Sequence, residues 1–428
     1  MQGANVIPRN RQALAPRVLM TDTQRWSSAA RLAIGLSKAG CQVSAVCPTR
    51  GHPLLYTRVI EKTFPYSSLR PIESLTAAIA AANPEIIIPC DDRGVEHLHE
   101  LFLRAGDELA TLIERSLGSP EGYSAVSSRY GLLRIASEEG LRVPDTMLVK
   151  DVEDLKRWRW RHGHTLPWVL KADGTSGGRG VRIAHGREQA ERFFLEMNRP
   201  HRMRRVAKRL VINRDPFWLR PWWKGSRPSI IVQSYIQGRP ANCGVVCWKG
   251  KVLAGIGVEV ISWDGLTGPA SVVRVIDNAA MILAAERIAH RLALSGFFGL
   301  DFMIEDGTLE TYLIEMNPRC TPLSHLQLGE GRDLVSALWA QLSDQPCPKT
   351  RPVTQKELIA YFPQACAGDS EVLESSFQDV PRDEPDLVRE LLRPWPDRTF
   401  LFRFASKSHA QARRLATLKP GLRVANLF

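Results

Sequence analysis

The chain of 428 residues lacks several kinds of segment that would narrow its class at once. No run approaches the ~18 uninterrupted apolar residues that a membrane-spanning helix needs. The stretch 1–17 is basic but has no apolar core, which argues against a secretory signal peptide. None of the eight cysteines forms a Cys-x-x-Cys pair, and Cys243 and Cys247 are poorly spaced for zinc. These features predict a protein of the reducing cytoplasm.

The common sets of catalytic and metal-binding side chains are also missing. No Ser-His-Asp or Cys-His combination stands out, so we predict no nucleophilic protein side chain. His97 and His99 lie two residues apart, and a helix would not present both on one face, so we assign them no metal. No internal repeat is evident. A content of 44% hydrophobic and 24% charged residues is that of a soluble globular protein.

Positive charge is concentrated in one segment. The formal net charge is +12, and the stretch 199–227 contains ten Lys or Arg residues against one acid, Asp215. Three tryptophans lie among them: Trp218, Trp222 and Trp223. Basic residues with aromatics can mark a nucleic-acid surface. Because no known nucleic-acid motif accompanies them, we favour an insertion that forms a lid or attracts polyanionic ligands.

The first part of the chain alternates strand and helix patterns. Apolar runs typical of strands recur there, at 17–22, 41–48 and 85–92. This alternation predicts a parallel-sheet, Rossmann-like domain over 17–115, after a disordered start over 1–16. Asp91 and Asp92 fall at the carboxyl end of a strand. Ligand binding and helix capping explain these two acids equally well.

A glycine-rich loop in the middle of the chain is a candidate phosphate site. The stretch VLKADGTSGGRGVRI (169–183) has four glycines within seven residues and one preceding lysine, Lys171. A P-loop lysine follows its glycines, and a dinucleotide fingerprint needs a third glycine where Ile183 stands, so neither template fits. The flanking runs predict a β-hairpin whose backbone N–H groups can approach an anion, with Lys171 and Arg179 supplying charge. An ordinary glycine-rich hairpin is the alternative.

A second hairpin carries a set of oxygen ligands. A five-residue loop centred on Thr308 would place Asp301 opposite Glu315, whereas a tight Asp-Gly turn would shift the register by about three residues. Opposed carboxylates repel each other and invite a divalent cation, and Asn317 adds a neutral oxygen on the same face. Arg319, next on that face, could reach a phosphoryl group or an acid substrate. The alternative is an exposed hairpin with solvated acids.

In this order, the segments VLKADGTSGGRGV, IIVQSYIQG, GLDF and YLIEMNPR resemble the ATP-grasp superfamily, closest to its carbamoyl-phosphate-synthase and biotin-carboxylase-like branch. The resemblance covers about 17–340 and implies an α/β and α+β fold, with a Rossmann-like pre-ATP-grasp domain followed by a two-lobed ATP-grasp fold. It implies an ATP-grasp domain over 116–345, with a lid subdomain at about 165–232 and a C-terminal lobe at about 239–345. The remaining 346–428 forms an extension without a motif.

The resemblance also implies roles for individual residues. Lys171 matches the lysine that binds the α- and β-phosphates of ATP, and Arg319 matches an arginine near the transferring phosphoryl group. The Mg²⁺ or Mn²⁺ ligands are matched by Asp301, Glu315 and Asn317. The loop that closes over the triphosphate is matched by Gly174, Gly177, Gly178, Arg179 and Gly180. The segment that lines the adenine pocket is matched by Gln233, Ser234, Tyr235 and Ile236.

Some positions depart from the family pattern or lie beyond it. An upstream lysine that also binds ATP appears here as Arg129, which keeps the charge but changes its geometry. The basic insertion at 199–227 is not a general family feature. Three further residues are candidates for holding the acid substrate, with surface or packing roles as the alternative: Arg274, His325 and Arg332.

The resemblance implies an ADP-forming carboxylate–amine ligase. A substrate carboxylate would attack the γ-phosphoryl group of ATP, and an amine or similar nucleophile would displace phosphate from the acyl phosphate. Expected partners are ATP, Mg²⁺ or Mn²⁺, a small carboxylic acid and an amine. A homodimer is one expected assembly, a membrane is not expected, and nucleic acid is disfavoured. Two alternatives stay open: a carboxylase that uses bicarbonate, although no Met-Lys-Met biotinylation site is present, and a non-catalytic protein that binds nucleotide or nucleic acid.

Overall fold

The amino-terminal region folds as alternating strands and helices. In the computed structural model, which describes residues 15–162, 166–174, 180–199, 227–263, 269–367 and 370–393, this region has eight main elements. They are β1 (Arg17–Thr21), α1 (Ser27–Lys38), β2 (Gln42–Cys47), β3 (Ile60–Pro65), α2 (Pro71–Ala82), β4 (Ile86–Pro89), α3 (Asp92–Phe102) and α4 (Asp107–Leu117). The strands form a parallel sheet in the order β3-β2-β1-β4.

Helices cover both faces of this parallel sheet. Val18 and Met20 of β1 lie in one apolar core with Leu32 of α1, whereas Leu19 lies in a second core with Leu75 of α2. Successive residues of a strand point to opposite faces, so β1 contributes to both cores. This arrangement confirms the predicted Rossmann-like part of the fold.

The edge strand β3 was not among the predicted strands. Its residues Ile60–Pro65 carry two charges and are largely exposed, so the apolar run that indicates a buried parallel strand is missing. It pairs with β2 in parallel, with a one-residue irregularity after Val43. Pairing with a buried neighbour therefore places a strand where local composition does not indicate one.

A small antiparallel sheet follows two connecting helices, α5 (Tyr123–Val126) and α6 (Arg129–Glu138). Its elements are β5 (Thr146–Val149), α7 (Val152–His162), β6 (Trp168–Ala172), β7 (Val181–Ala184), α8 (Arg187–Met197) and β8 (Ile230–Ser234). The strand order is β5-β8-β6-β7, and Trp158, Leu170 and Phe194 pack in its core. Strands β6 and β7 pair as the hairpin predicted around the glycine loop.

A large antiparallel sheet forms the next layer. Its elements are β9 (Gly238–Trp248), β10 (Lys251–Trp263), β11 (Ala270–Val275), α9 (Ala279–Arg291), β12 (Gly296–Glu305), β13 (Thr311–Asn317) and α10 (Leu334–Ser343). Helices α6 and α9 pack on one face, where Phe298 and Leu300 are buried. Helix α10 and helix α1 of the parallel-sheet region pack on the other face, around Phe297 and Val335.

The carboxyl-terminal segment completes this sheet. It contains β14 (Leu358–Tyr361), α11 (Ser370–Ser375), β15 (Phe377–Asp379) and α12 (Pro385–Leu392). Within the described residues the sheet order is β13-β12-β9-β10-β11-β14-β15, and its last pair, β14 with β15, is parallel. Leu387 and Leu391 of α12 lie in the same core as Leu54 of the parallel-sheet region. The segment thus joins the two largest parts of the molecule. No helix in the described ranges is long and apolar enough to cross a membrane.

Two glycines that face each other on β9 and β12 leave room for the chain that follows β13. Gly244 on β9 pairs with Gly299 on β12. A Cβ atom on Gly244 would lie 2.7 Å from Cβ of Leu323, and one on Gly299 would lie 2.5 Å from Cγ2 of Thr321. The segment around 321–323 therefore lies directly against the strand backbones, where a side chain has no room.

Gly244→Ala should lower the free energy of unfolding by about 1–3 kcal/mol, because the new methyl group overpacks a rigid contact. Urea unfolding measures this change. Gly255→Ala on β10 is the matched control, since its Cβ would come close only to the flexible end of a side chain, Cδ1 of Ile282 at 3.1 Å, and would lie at an ordinary 3.8 Å from the carbonyl oxygen of Gly244. Equal stabilities of the two variants would contradict the close seating.

Candidate active site

The carboxylates predicted as metal ligands meet across two neighbouring strands. Asp301 on β12 lies directly opposite Glu315 on β13, which is the register that the five-residue loop predicts. A bulge then shifts the pairing, so that Phe302 faces Leu313 and Ile314 has no cross-strand partner on β12. Bulges are common beside active sites because they redirect a side chain or a carbonyl group.

Two asparagine amides hold the carboxylate of Asp301. Asn242 on β9 donates from Nδ2 to Oδ1 of Asp301 at 2.6 Å, and Asn317 donates to Oδ2 at 3.1 Å. Burial, and then repulsion from Glu315, raises the pKa of Asp301 from 3.8 to about 6, although the two amides lower it. The negative charge of the pair is therefore unfavourable in the isolated protein, and a cation would relieve it.

Arg129 links this acid pair to the small sheet. It is the first residue of α6, and its Nη2 donates to Oε1 of Glu315 at 2.6 Å. Its Nη1 donates to the carbonyl of Ala172 at 2.5 Å and lies 3.6 Å from Oδ1 of Asp173. The guanidinium group thus fixes the end of β6 against the Glu315 side chain.

Lys171 reaches the same place from β6. Its side chain is buried, and Nζ donates to the carbonyl of Ile314, the bulged residue, at 3.3 Å. Burial lowers the pKa of Lys171 from 10.5 to about 8, against the opposing attraction of Glu315. The bulge thus leaves the carbonyl of Ile314 without a strand partner on β12, and this carbonyl accepts the hydrogen bond from Lys171.

Arg319 brings the parallel-sheet region to the cluster. Its Nε donates to Oδ1 of Asp92, the first residue of α3, at 2.9 Å, and its Nη2 donates to Oδ1 of Asn317 at 3.1 Å. The guanidinium carbon lies 5.5 Å from the ring centroid of Trp26. Arg319 is held on three sides, next to Asn317 and close to the acid pair.

Asp91 and Asp92, which follow β4, have different roles in the structure. Asp91 is the N-cap of α3, accepting from the backbone N–H of Gly94 at 2.7 Å, and it also accepts from the hydroxyl of Thr23 at 2.7 Å. Asp92 is instead the ion-pair partner of Arg319. Capping explains the first acid, and contact with the cluster explains the second.

A comparison with known protein families agrees with this geometry. Residues 126–322 match the family model of the ATP-grasp domain. The chain contains an ATP-grasp domain. The matched range includes Arg129, Lys171, Asp301 and Glu315, which confirms the resemblance drawn from the sequence motifs. No curated protein matches the chain at a significant level.

Solved structures share the architecture at low sequence identity. An ADP complex of purK, N5-carboxyaminoimidazole ribonucleotide synthetase, is 14% identical over 80% of this chain and 81% of its own, with a TM-score of 0.55. Biotin carboxylase from Campylobacter jejuni is 16% identical over 79% of this chain and 73% of its own, with a TM-score of 0.54. The biotin carboxylase domain of Hydrogenobacter thermophilus 2-oxoglutarate carboxylase is 15% identical over 78% of this chain and 71% of its own, with a TM-score of 0.54. Together with the sheet topology, these likenesses confirm the predicted fold class.

The donor set of the ATP-grasp domain fits a divalent cation shared with phosphate groups. Mg²⁺ commonly takes one or two carboxylates, with substrate phosphates and water completing its coordination. Asp301 and Glu315 supply two carboxylates, and Asn317 presents an amide beside them. Among the described residues, no group of three or more His, Cys, Asp or Glu side chains could hold a metal ion by itself.

The described residues of the predicted nucleotide-binding segments lie in and beside the small antiparallel sheet. Gly174, with a positive φ of 70°, follows Lys171 by three residues, and Gly180 precedes β7. Gln233 is buried on β8 and donates from Nε2 to the hydroxyl of Thr146 at 2.9 Å, while Ser234 ends β8 and Tyr235 is exposed. Ile236 lies between β8 and β9. The predicted loop residues Gly177, Gly178 and Arg179 lie outside the described residues, as do 200–226 of the basic insertion.

The three candidates for holding the acid substrate have partners elsewhere. Arg274 lies 3.7 Å from Glu259, Arg332 donates to Asp277 at 2.5 Å, and His325 lies 2.7 Å from Asp379. None of these partners is Asp301, Glu315 or Arg319. These ion pairs give the three residues structural surroundings, and their role toward a substrate stays a prediction.

Several residues of the cluster are absent from the sequence-based set. Asn242 contacts Asp301, Asp173 lies beside Arg129, and Trp26 lies beneath Arg319. Asn242 faces Asp301 because β9 pairs with β12, and this pairing is not visible in either segment alone. Asp173 carried a signal, since it follows Lys171 by two residues. Trp26 lies in the other domain and carried none.

Proposed function

We propose that the protein is an ATP-dependent ligase that activates a carboxylate as an acyl phosphate for attack by an amine or similar nucleophile, releasing ADP and phosphate. The observation that carries the proposal is the opposed pair Asp301 and Glu315, with Lys171, Arg129 and Arg319 converging on it from three parts of the fold. Phosphoryl transfer needs positioned charge rather than a protein nucleophile, and this cluster supplies such charge.

Each residue of the cluster has a distinct task in this proposal. Asp301, Glu315 and Asn317 would hold Mg²⁺, which when bound would offset charge on the phosphate oxygens. Lys171 would bind the α- and β-phosphates from the floor of the site, because its ammonium group is held at the end of β6. Arg129 would keep Glu315 oriented, and Arg319 would hold the transferring phosphoryl group and the acid.

Bicarbonate is a second candidate for the acid. Two of the similar structures are named as biotin carboxylases, and the Hydrogenobacter thermophilus domain was solved with MgADP and bicarbonate. Bicarbonate would use the same cluster, because it too presents a carboxylate oxygen to the γ-phosphoryl group. The two candidates differ only in which acid stimulates ADP formation.

Purified protein with Mg-ATP should release ADP and phosphate only when a suitable acid is present, because the proposed reaction begins with attack by that acid. The measurement is ADP formation with product mass, over pools of carboxylic and amino acids in bicarbonate-depleted buffer, with a separate bicarbonate arm. Stimulation by an organic acid supports the ligase, and stimulation by bicarbonate alone supports the carboxylase. Salt-sensitive RNA or DNA binding without acid-dependent ADP release would overturn both.

A further inference from the structure

A buried ion-pair group connects the carboxyl-terminal segment to the chain that leaves the active site. Asp379, the last residue of β15, accepts from Nε2 of His325 at 2.7 Å and also pairs with Arg31 of α1. The side chains of His325 and Asp379 are 6% and 5% exposed, and that of Arg31 is 14% exposed. Three segments that are distant in sequence therefore meet at one carboxylate, and we call these three residues the Asp379 group.

The charges in this group depend on each other. Burial alone would raise the pKa of Asp379, but His325 and Arg31 lower it below its ordinary value. Asp379 is thus held ionised in a place with little water, and removal of its charge would leave the half-buried Arg31 without its ionised partner. Such a group fixes geometry firmly, because any displacement exposes or isolates a charge.

The chain between Arg319 and His325 is short and tightly folded. The N–H of Ser324 donates to the carbonyl of Thr321 at 3.0 Å, and the N–H of Leu326 donates to that of Leu323 at 3.1 Å. Leu323 and Leu326 are each 2% exposed. Leu323 also packs against Gly244 on β9. Because the two turns and the buried side chains of Leu323 and Leu326 make this segment rigid, a movement of His325 would be transmitted to Arg319.

We infer that Asp379 is a positioning residue for Arg319, acting through His325 and the turns over 320–326. In this proposal the carboxyl-terminal segment contributes to catalysis, because the Asp379 group holds Arg319 at the reacting phosphoryl group. This inference rests on the proposed function for its kinetic consequence, whereas its structural consequence can be measured without activity. His325, a sequence-based candidate for contact with the acid, acts on the reaction at a distance in this proposal.

Asp379→Asn and His325→Leu should both lower kcat by about 10- to 100-fold, the usual cost of losing a partner that orients a catalytic group. The KM for ATP should change less than kcat, since other residues hold Lys171, Asp301 and Glu315, and Asn317 alone of the proposed metal ligands accepts from Arg319. Amide hydrogen exchange in peptides covering 318–328 should become faster in both variants while the rest of the chain stays protected. His325→Gln should restore most of kcat, because its amide N–H can still donate to Asp379.

The matched control is Asp383→Asn. Asp383 pairs with Lys38 of the same helix α1, but their side chains are 81% and 59% exposed, so this pair holds little. Wild-type kcat and exchange are expected for it. Unchanged exchange over 318–328 in Asp379→Asn, or faster exchange over the whole chain, would overturn the positioning role. If the wild-type protein forms no ADP with any acid, the proposed function fails, and the exchange pattern alone decides the inference.

Discussion

Glu315→Gln should reduce acid-dependent ADP release by at least about 100-fold, because loss of an outer partner alone commonly costs 10- to 100-fold and this residue is itself a proposed metal ligand. The amide is neutral and nearly isosteric, so it can still accept the hydrogen bond from Arg129 that Glu315 now accepts. Repulsion on Asp301 would also fall, since Glu315 contributes to its raised pKa. We therefore expect a folded protein that melts within a few degrees of the wild type.

Glu310→Gln is the control for this change. Glu310 belongs to the same hairpin region and pairs with Arg142, but the two side chains are 35% and 58% exposed. Surface pairs of this kind contribute about 0–1 kcal/mol, and activity should not change. A second measurement is the rise in melting temperature on adding Mg-ADP, which Glu315→Gln should lose and Glu310→Gln should keep. Normal turnover in Glu315→Gln would remove the metal assignment.

The opposition of Asp301 and Glu315 was one of two registers that the sequence allowed, because strand periodicity fixes the face and the loop length fixes the register. The structure has the five-residue loop, and with it the predicted opposition. The bulge at Ile314 could not be predicted, because it depends on neighbours from another sheet. The carbonyl of Ile314 accepts a hydrogen bond from Lys171, which lies 143 positions away in the sequence. Local patterns determine which residues share a face, whereas a single extra residue in a ladder is decided by packing.

The carboxyl-terminal strands show the same limit. Leu358–Tyr361 and Phe377–Asp379 are four and three residues long, too short for a periodic signal. The first becomes a strand because β11 offers an edge, with Val272 opposite Ala360. The second then pairs with the first, with Phe377 opposite Ile359. The role of His325 is hidden for a related reason, since its partner lies 54 positions further along. In the sequence, a single histidine near a predicted site suggests that it binds a ligand. Only the tertiary contact with Asp379 indicates a structural role for His325 instead.

Lys171→Met should weaken ATP binding and stabilise the isolated protein at pH 7. Loss of a charged contact to phosphate costs about 1.5–3 kcal/mol, which corresponds to a rise of about 10- to 100-fold in the KM for ATP. The stabilisation arises because burial lowers the pKa of Lys171 from 10.5 to about 8. A shift of that size corresponds to roughly 3 kcal/mol, and loss of the hydrogen bond to Ile314 removes about 1 kcal/mol of the gain.

The pH dependence gives this prediction a clear sign. Between pH 8 and 10.5 the unfolded chain holds a proton on Lys171 that the folded chain has released, so wild-type stability rises with pH across this window. The advantage of Lys171→Met should therefore be largest below pH 8 and fade towards pH 10.5. Urea unfolding at pH 7 and pH 10 without nucleotide measures it, with the exposed Lys150→Met as control. A variant that is less stable at pH 7, or that saturates normally with ATP, would show that the lysine is kept for packing. The opposite signs of the two effects would show that Lys171 is kept for phosphate at a cost to the fold.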